Sequence, residues 1–536
     1  MCGITGLIHF EKDKPISKQL LKKMTDTIHY RGPDDEGFYF KENIGLGFRR
    51  LSIIDLSTGH QPLSNEDGSI WIVFNGEIYN FLELRDNLIK QGHRFNTRTD
   101  TEVIVHLYEQ HGKDCLQYLR GMFAFAIYDE RRKKLFCARD RFGKKPFFYY
   151  IDKNKFIFGS EINAVLCDNQ IDKAINLEAL DDYFAYGYIL GTKSIYQSIH
   201  KLQPSFYLEI DLTKSDNILI ERYWNFEFKP DYSRSEKQWE EEIISLLSES
   251  VKMRMISDVP LGAFLSGGID SSSIVALMAK NSTERIKTFS IGFKENEYNE
   301  LEFAREVSRK YNTEHYEQII EPDSIEILPL LVNAYSEPFA DSSAIPTYYV
   351  SKFARQFVTV VLSGDGGDEF FAGYSIYKKL NAIRNMQFFP DSINNLLFGS
   401  LYKLAPDLNS FKKALFYLSK PKDKLGAYYA IWNNFERKAI FKPELWQSLS
   451  NCKAEYFKEE ILNGSKSVNF ISKLQELDIL TYMTDDILVK VDRASMINSL
   501  EVRVPMLDHK FAEMTFQIPE KYKFNENGQK YILKMP

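Results

Sequence analysis

The spacing of apolar residues changes between about residues 210 and 235, and this change restricts the possible folds more than any other feature. Before it, short apolar runs are separated by Gly, Asn and Asp, as in "IGLGFRRLSIIDL" and "SIWIVFNGEIYN". Such runs predict β-sheets that are buried on one or both faces. Two helices are predicted in this part of the chain, over 17–28 and 101–109.

After residue 235, single apolar strands alternate with amphipathic helices. The strands lie in "VPLGAFLSGG", "IKTFSIGF" and "VTVVLSGDGGDE", and beyond residue 374 the pattern is almost entirely helical. Strands that alternate with helices predict a parallel, doubly wound sheet. We therefore predict an α+β domain over 2–210 and an α/β domain over 211–536.

Length and composition exclude several classes of protein. A chain of 536 residues is expected to form roughly two to four domains. With 44% hydrophobic residues, 26% charged residues and a net charge of -6, it gives no electrostatic reason to expect nucleic acid or an anionic membrane as partner. Five cysteines without a CxxC pair favour a reducing compartment. The chain has neither an apolar run of ~18 residues nor the pattern of a signal peptide, so we expect a cytoplasmic protein.

The segment "FLSGGIDSSSIVALMAK" predicts a strand, a glycine turn and a helix with hydroxyl groups in its first turn. Paired glycines let the backbone approach an anion, and free N–H groups at the start of a helix bind it. The lysine of a Walker A loop is absent, which suits a reaction in which pyrophosphate leaves as a unit. An ordinary capped helix is the alternative. The candidate ATP-binding residues here are Ser266, Gly267, Gly268, Asp270, Ser271 and Ser272, with Asp270 also a candidate magnesium ligand.

A second loop, "VVLSGDGGDEFFAGY", follows another predicted strand and repeats this arrangement. In a doubly wound sheet both loops would lie at the carboxyl ends of strands, where such sheets bind ligands. The carboxylates of Asp365, Asp368 and Glu369 could ligate a metal ion or accept a proton. Taken alone, this second loop could also be a surface turn.

The chain opens with "MCGITG". Removal of Met1 is expected before a small residue and would leave Cys2 with both a thiol and a free α-amine. A cysteine of this kind is a nucleophile that carries its own base. On this segment alone, a frayed terminus is the simpler interpretation.

Four further segments of the first half supply the other parts of a glutamine-hydrolysing site: "RGPDDEG", "RRLSIIDL", "NGEIYN" and "RTDTEV". Hydrolysis of an amide through a thioester needs a nucleophile, a base, an oxyanion hole and groups that bind the substrate's α-carboxylate and α-amine. The Asn75 side chain and the Gly76 N–H suit the oxyanion hole. Arg50 suits the carboxylate, and Glu77 and Asp100 suit the ammonium. Each has a structural alternative by itself, such as the Asn-Gly turn of a hairpin.

In these motifs the chain resembles the glutamine-hydrolysing asparagine synthetases of the B type, which are class II glutamine amidotransferases. The motifs that match in order are MCGI, RGPD, RRLSI, NGEIYN, TDTE, GKKPFFYY, SGGIDSS, SGDGGDE and EVRVPMLD. The resemblance implies an N-terminal αββα sandwich of the N-terminal-nucleophile hydrolase type. It also implies a C-terminal doubly wound α/β domain of the ATP-pyrophosphatase type with added helices.

The resemblance further implies a reaction and its site residues. ATP would adenylate the side-chain carboxylate of aspartate with release of pyrophosphate, and ammonia freed from glutamine at Cys2 would cross a tunnel and displace AMP. A homodimer is expected of the family. The residues implied for glutamine are Arg50, Leu51, Ser52, Ile53, Ile54, Asn75, Gly76, Glu77 and Asp100. Those implied for the nucleotide, besides the first glycine loop, are Leu265, Ile291, Ser363 and Gly364, and those for magnesium are Asp270 and Asp368.

Three features depart from the family pattern. Asp365 stands where some members have a glutamate that is proposed to assist attack by ammonia. The segment "FADSSAIPTYY", where the acceptor would bind, contains no arginine. Pro536 precedes the family's R-P-K-x-G-F stretch, so the lysine thought to stabilise charge during adenylate formation is expected to be missing. Two alternatives to asparagine synthesis follow: amidation of another carboxylate, such as a polysaccharide uronic acid or an antibiotic precursor, and a glutaminase with an inactive synthetase half.

Overall fold

The computed structural model describes residues 2–214, 218–294, 300–321, 324–405, 409–449, 453–526 and 528–534. Its first half contains two six-stranded antiparallel sheets, and its second half contains a five-stranded parallel sheet. None of the described helices is long and apolar enough to cross a bilayer. The two kinds of sheet agree with the change in the hydrophobic pattern.

The strands of the two antiparallel sheets are β1 (Gly3–His9), β2 (Asp35–Lys41), β3 (Ile44–Arg50), β4 (Leu63–Ser64), β5 (Ile70–Ile78), β6 (Gly121–Asp129), β7 (Lys134–Arg139), β8 (Phe148–Ile151), β9 (Lys155–Gly159), β10 (Ile199–Lys201), β11 (Phe206–Asp211) and β12 (Ile218–Arg222). In the first sheet the order is β10-β8-β9-β1-β3-β2. In the second sheet the order is β12-β11-β7-β6-β5-β4.

The two sheets pack face to face, because successive residues of a strand point to opposite faces. In β6, Phe123 and Phe125 belong to one apolar cluster, and Ala124 and Ala126 belong to another. The second cluster also contains Ile4 of β1, so it fills the space between the sheets. Four helices cover the outer faces, the first and fourth on one side and the second and third on the other: α1 (Lys18–Thr27), α2 (Phe81–Lys90), α3 (Asp100–His111) and α4 (Ile162–Val165). The predicted αββα sandwich is confirmed.

The parallel sheet consists of β13 (Leu261–Phe264), β14 (Lys287–Phe293), β15 (Glu314–Ile320), β16 (Val360–Leu362) and β17 (Glu501–Arg503). The strand order is β15-β14-β13-β16-β17, which is the predicted doubly wound arrangement. Strands β14 and β15 lie on one side of β13, and β16 and β17 lie on the other, so the chain order reverses between β13 and β16. Ligands bind at such a reversal, outside the carboxyl ends of the strands. The two glycine loops follow β13 and β16 directly.

The remaining helices are α5 (Leu177–Tyr186), α6 (Glu236–Arg254), α7 (Ile269–Lys280), α8 (Leu301–Tyr311), α9 (Ser324–Tyr335), α10 (Ala344–Ala354), α11 (Gly367–Phe370), α12 (Ser375–Met386), α13 (Asp391–Leu404), α14 (Asn409–Leu418), α15 (Asn434–Ile440), α16 (Pro443–Ser448), α17 (Ala454–Gly464), α18 (Phe470–Asp478), α19 (Leu488–Met496), α20 (His509–Thr515) and α21 (Glu520–Lys523). A π-helical stretch, Ile479–Ile487, joins α18 to α19. A two-stranded hairpin, β18 (Phe524–Asn525) and β19 (Gly528–Gln529), lies near the C-terminus.

The predicted helices over 17–28 and 101–109 are confirmed as α1 and α3. The pattern does not indicate α2, because its Leu82 and Ile89 are about half exposed and obscure the amphipathic spacing. The antiparallel part extends beyond residue 210, since β12 ends at Arg222. Helix α6 then begins behind a capping box formed by Ser235 and Gln238.

Candidate active sites

Cys2 immediately precedes β1, which lies between β3 and β9 in the first sheet. Its side chain is buried, and its main-chain nitrogen donates a hydrogen bond to Asn75 Oδ1 at 3.1 Å. Burial raises the pKa of the Cys2 thiol to about 11, although the Leu51 N–H and the Arg50 guanidinium favour the thiolate. The thiol is therefore protonated at neutral pH, and its reaction needs a base close to the sulfur.

Asn75, on β5, presents an unused donor next to Cys2. Its Oδ1 accepts the bond from Cys2, and its Nδ2 is buried without a hydrogen-bond partner in the described part of the chain. A buried donor without an acceptor is costly, so such a group calls for an explanation. An oxyanion formed by attack of the Cys2 thiol would give Asn75 Nδ2 its acceptor.

Hydrogen-bond alternation in β5 shows which way the Gly76 N–H points. Tyr79 N donates to Arg120 O at 2.8 Å, so alternation along the β5–β6 pair directs the Gly76 N–H away from β6. On that side of β5, Ile78 N donates to Asp100 Oδ2 at 2.8 Å. The Gly76 N–H thus faces the same side of β5 as Asp100, which is a predicted glutamine ligand.

The Arg50 guanidinium is held by main-chain carbonyls of residues 54–56, including Ile54 O at 3.2 Å. Within the described residues it pairs with no carboxylate. Gly59 is required beside it, because a Cβ at that position would lie 2.1 Å from Arg50 Nη2. The positive charge of Arg50 is therefore positioned and left for a carboxylate of a ligand.

Residues 51–53 connect the first half of the chain to the second. Leu51 and Ile53 pack against Val360 of β16. Ser52 N donates to Asp34 Oδ2 at 2.8 Å. Since the Leu51 and Ile53 side chains are used in packing, contacts from these two residues to glutamine would come from their main chain.

Glu77 and Asp100 form the acidic side of the site. Burial, together with Glu501 and Asp100, raises the pKa of Glu77 well above its usual value, and burial raises the pKa of Asp100 to about 6. Arg503 of β17 balances these charges, with Nη2 3.4 Å from Glu77 Oε1 and Nε 2.6 Å from Glu501 Oε1. Sequence analysis did not identify Glu501 or Arg503 as site residues, although both lie in the "EVRVPMLD" motif.

Arg31 of the "RGPD" motif ties the Cys2 segment to both halves of the chain. Its guanidinium is fully buried, with Nε donating to Cys2 O at 3.3 Å. Nη1 lies 3.1 Å from Glu161 Oε1, and Nη2 lies 2.9 Å from Asp492 Oδ2 on α19. The role of Arg31 is thus to position the nucleophile's strand, and its charge is already paired.

The second site is a cavity of about 510 Å³ at the strand reversal between β13 and β16. Ten of the predicted nucleotide and metal residues line it: Leu265, Ser266, Asp270, Ser271, Ile291, Ser363, Gly364, Asp365, Asp368 and Glu369. Three predicted residues do not: Gly267, Gly268 and Ser272. Gly267 turns the loop with a φ of +84°, and a Cβ there would lie 2.5 Å from Phe303 Cβ. Gly267 shapes the loop by packing on α8.

The acidic groups of the cavity converge on Asp270. Burial raises the pKa of Asp270 to about 6, and Asp368 and Asp365 act in the same direction. Asp270 Oδ1 is buried with no hydrogen-bond partner in the described part of the chain. Asp365 Oδ2 accepts a hydrogen bond from Ser363 Oγ at 2.7 Å. Oxygen atoms of this kind fit a hard divalent cation.

Comparison with known proteins identifies the family. A model described as "Glutamine amidotransferase domain" matches residues 1–224, and one described as "Asparagine synthase" matches residues 242–535. The chain is 36% identical to asparagine synthetase [glutamine-hydrolyzing] 1 of Bacillus subtilis, over all of this chain and 84% of the relative. The chain belongs to the glutamine-hydrolysing asparagine synthetase family. The chain is also 41% identical to putative asparagine synthetase [glutamine-hydrolyzing] 2 of Methanocaldococcus jannaschii, over 94% of this chain and all of the relative.

In this family member a lysine that sequence analysis did not identify contacts two acidic residues of the ATP cavity. Lys530, the first lysine of "KYILK", contacts the Asp270 carboxylate and lies 2.8 Å from Asp368 Oδ1. Gly373 makes room for it, since a Cβ at Gly373 would lie 2.1 Å from Lys530 Cε. Lys530 therefore brings a positive charge to two acidic residues of the cavity, whereas the expected absence of the lysine in the R-P-K-x-G-F stretch stays a prediction. Lys530 belongs to the quoted motif "KYILK", but it is 260 positions from Asp270, so the sequence pattern does not indicate the contact.

The synthetase cavity of this family member also contains a second cation. Lys490 of α19 lines the cavity, and its Nζ lies 2.8 Å from Asp341 Oδ2 and 2.7 Å from Ser343 Oγ. Both partners belong to the segment "FADSSAIPTYY", in which the sequence has no arginine. Lys490 thus supplies a positive charge where the acceptor was expected to bind.

Proposed function

We propose that this chain makes asparagine from aspartate, ATP and glutamine, and releases AMP, pyrophosphate and glutamate. The observation that carries the proposal is a buried cysteine–asparagine pair and an ATP-sized cavity in one chain that belongs to this family. We place the division of labour between Arg222 and Glu236, with glutamine hydrolysis before it and synthesis after it. The cytoplasmic location and the homodimer stay predictions.

Glutamine hydrolysis begins with the Cys2 thiol. After removal of Met1, the Cys2 α-amine takes the thiol proton, and the sulfur attacks the carbon of the glutamine side-chain amide. Asn75 Oδ1 orients that amine, while Asn75 Nδ2 and the Gly76 N–H stabilise the oxyanion. The amine then gives the proton to the leaving nitrogen, so that ammonia departs and a thioester remains. Water, deprotonated by the same amine, releases glutamate and restores the thiol.

Substrate orientation in this site comes from charge. Arg50 binds the glutamine α-carboxylate, and Glu77 and Asp100 bind its α-ammonium. The raised pKa values of both acids mean that they accept a cation readily, since the ammonium offsets the cost of their burial. The main chain of residues 51–54 completes the pocket.

Synthesis occurs in the cavity at the strand reversal. A carboxylate oxygen of aspartate attacks the α-phosphorus of ATP, pyrophosphate leaves, and ammonia then attacks the acyl carbon of the aspartyl adenylate and displaces AMP. Ser266, Ser271 and the loop N–H groups hold the phosphates. Lys530 stabilises the charge that builds up during adenylate formation.

Asp270 and Asp368 would hold magnesium in this cavity. The unpartnered, buried Asp270 Oδ1 fits that assignment. Bound magnesium supplies charge neutralisation on the phosphate oxygens. Lys490 is suited to the second carboxylate of aspartate, because it is the cation on the acceptor side of the cavity.

Pyrophosphate release from ATP, with aspartate compared against a panel of other carboxylates, tests the proposal. We expect release to depend on aspartate and to yield asparagine with either glutamine or ammonia. Cys2→Ala should abolish the glutamine-dependent reaction and spare the ammonia-dependent one. Cys167→Ala, which changes a cysteine outside both sites, serves as the matched control. Glutamate production without any aspartate-dependent pyrophosphate would instead support a glutaminase with an inactive synthetase half.

A further inference from the structure

We propose that Glu66, His93, His106 and Glu109 form a zinc site on the outer helical layer of the glutaminase domain. One ligand atom from each of the four side chains lies within 4.8 Å of all the others. The cluster belongs neither to the glutamine site nor to the ATP cavity. It combines two imidazoles and two carboxylates, a donor set that suits zinc.

The distances from each imidazole to Glu66, measured to a different carboxylate oxygen for each ring, are those of neighbouring ligands in a tetrahedral site, and the distances to Glu109 are slightly longer. Zinc bonds of about 2.0–2.2 Å to nitrogen and oxygen require neighbouring ligand atoms to lie roughly 3.3–3.6 Å apart. His93 Nδ1 lies 3.4 Å from Glu66 Oε1, and His106 Nδ1 lies 3.5 Å from Glu66 Oε2. The same two nitrogens lie 3.9 and 4.0 Å from Glu109 Oε2. Both imidazole Nδ1 atoms therefore lie near carboxylate oxygens of Glu66 and of Glu109, as a shared ion would require.

The interior of the cluster lacks hydrogen bonds that a metal ion would replace. His106 is fully buried, and within the described chain neither of its ring nitrogens has a hydrogen-bond partner. Glu109 Oε2 is also buried without one. A buried imidazole with two unsatisfied nitrogens is costly, and coordination of His106 Nδ1 and Glu109 Oε2 would satisfy both groups.

A hydrogen bond to Gln110 Oε1 orients the His93 imidazole, and Glu102 lies near the His106 imidazole but beyond hydrogen-bond distance. His93 Nε2 lies 3.1 Å from Gln110 Oε1, and His106 Nε2 lies 3.7 Å from Glu102 Oε1. In both rings this leaves Nδ1 as the nitrogen directed to the cluster. Metal-binding histidines are almost always oriented in this way by a partner on the other nitrogen. A chance contact of four polar residues would not need an imidazole oriented in this way.

The site would join three parts of the outer layer. Glu66 lies between β4 and β5, His93 follows α2, and His106 and Glu109 share one face of α3. Helix α3 begins at Asp100, which is about 9 Å along the helix from His106. A bound zinc ion would therefore hold the helix that carries a glutamine ligand, without touching the glutamine itself.

Zinc binding to the full-length chain tests the proposal. The protein is stripped with a chelator, and Zn²⁺ is titrated against a zinc-binding dye in the Cys2→Ala background, which removes the active-site thiol as a competing ligand. We expect one tightly bound zinc per chain and a rise in melting temperature on zinc addition. Co²⁺ in place of zinc should give the visible absorption of a tetrahedral site. His93→Gln and Glu109→Gln should lose this binding, the rise in melting temperature and the Co²⁺ spectrum.

Graded and matched variants separate this site from other metal ligands. Gln110→Ala, which removes the outer partner of His93, should weaken zinc binding about 10- to 100-fold. His111→Gln, on the same helix but outside the cluster, should leave it unchanged. Equal zinc binding by the parent and by a folded His93→Gln variant would overturn the proposal, as would a parent that binds no zinc. Fold integrity is followed by melting temperature in the absence of zinc.

Discussion

Arg503 is the residue through which the synthetase half reaches the glutamine site, and Arg503→Met tests that connection. Its guanidinium is fully buried, lies 2.6 Å from Glu501 Oε1 and 3.4 Å from Glu77 Oε1, and donates to Ile256 O at 2.6 Å. Methionine keeps much of the apolar stem and removes the cation. The substitution therefore isolates the charge from most of the packing.

The expected magnitude follows from the charges that remain. Removing one partner of a buried ion pair costs about 3–5 kcal/mol when the other partner stays charged. Glu77 can avoid this cost by binding a proton, because its pKa is already raised well above its usual value and Arg503 acts to lower it. A protonated Glu77 no longer attracts the glutamine ammonium. Since a hydrogen bond to a charged group contributes about 1.5–3 kcal/mol, we expect KM for glutamine to rise roughly 10- to 150-fold.

The assay is glutamate release against glutamine concentration for the parent, Arg503→Met and Arg503→Lys. In Arg503→Met, KM measured across the pH range in which the enzyme is stable should fall as the pH rises, because Glu77 loses its proton as the pH passes through its raised pKa. Arg503→Lys keeps a cation and should retain most of the affinity. A folded Arg503→Met variant with unchanged KM across this pH range would refute the reasoning, since Glu77 would then not depend on Arg503 for its charge.

Three further predictions concern the two sites separately. Lys530→Met should lower aspartate-dependent pyrophosphate release about 100- to 1,000-fold and leave glutamate release unchanged. Lys534→Met, which changes an exposed neighbour, should alter neither activity. Equal losses in the two variants would argue against a charge effect. Gly267→Ala should impair only the synthetase reaction. At a φ of +84° the added Cβ would lie 2.5 Å from Phe303 Cβ, which is a strain of about 1–3 kcal/mol. An ATP titration should show the strain as weaker binding. The kcat/KM for glutamine hydrolysis should fall as the pH drops below about 6, because Asp100 has a raised pKa of about 6 and must be ionised to bind the ammonium. A pH profile that stays flat down to pH 5 would exclude Asp100 from this role.

The sequence predicts those features that depend on local physics. The nearly continuous apolar runs of β5 and β6 reflect strands buried on both faces, so they indicate buried sheets before any contact is known, whereas the αββα sandwich is implied by the family resemblance. Gly267 and the serines around it form a tight loop after β13 through their own backbone geometry and side chains. For the same reason ten of the predicted residues line the ATP cavity, while the glycine that bends the loop does not.

The sequence does not predict contacts between residues that are distant along the chain. Lys530 meets Asp270 across 260 positions, and nothing in the spacing of "KYILK" indicates that partner. Arg503 and Glu77 are likewise brought together only by the packing of β17 against the sandwich. These residues could be listed as parts of motifs, but their roles depend on tertiary structure, which local patterns do not encode.

Strand β17 is the element that the two sites share. Ser363 N, at the ATP loop, donates to Arg503 O at 2.9 Å, and the side chain of the same arginine contacts Glu77 in the glutamine site. A change in charge at Glu77 thus acts on a residue whose backbone fixes the start of the ATP loop. If occupancy of one site shifts Arg503, it changes the ligand affinity of the other site. Reciprocity then requires that ATP change the affinity for glutamine by the same factor by which glutamine changes the affinity for ATP.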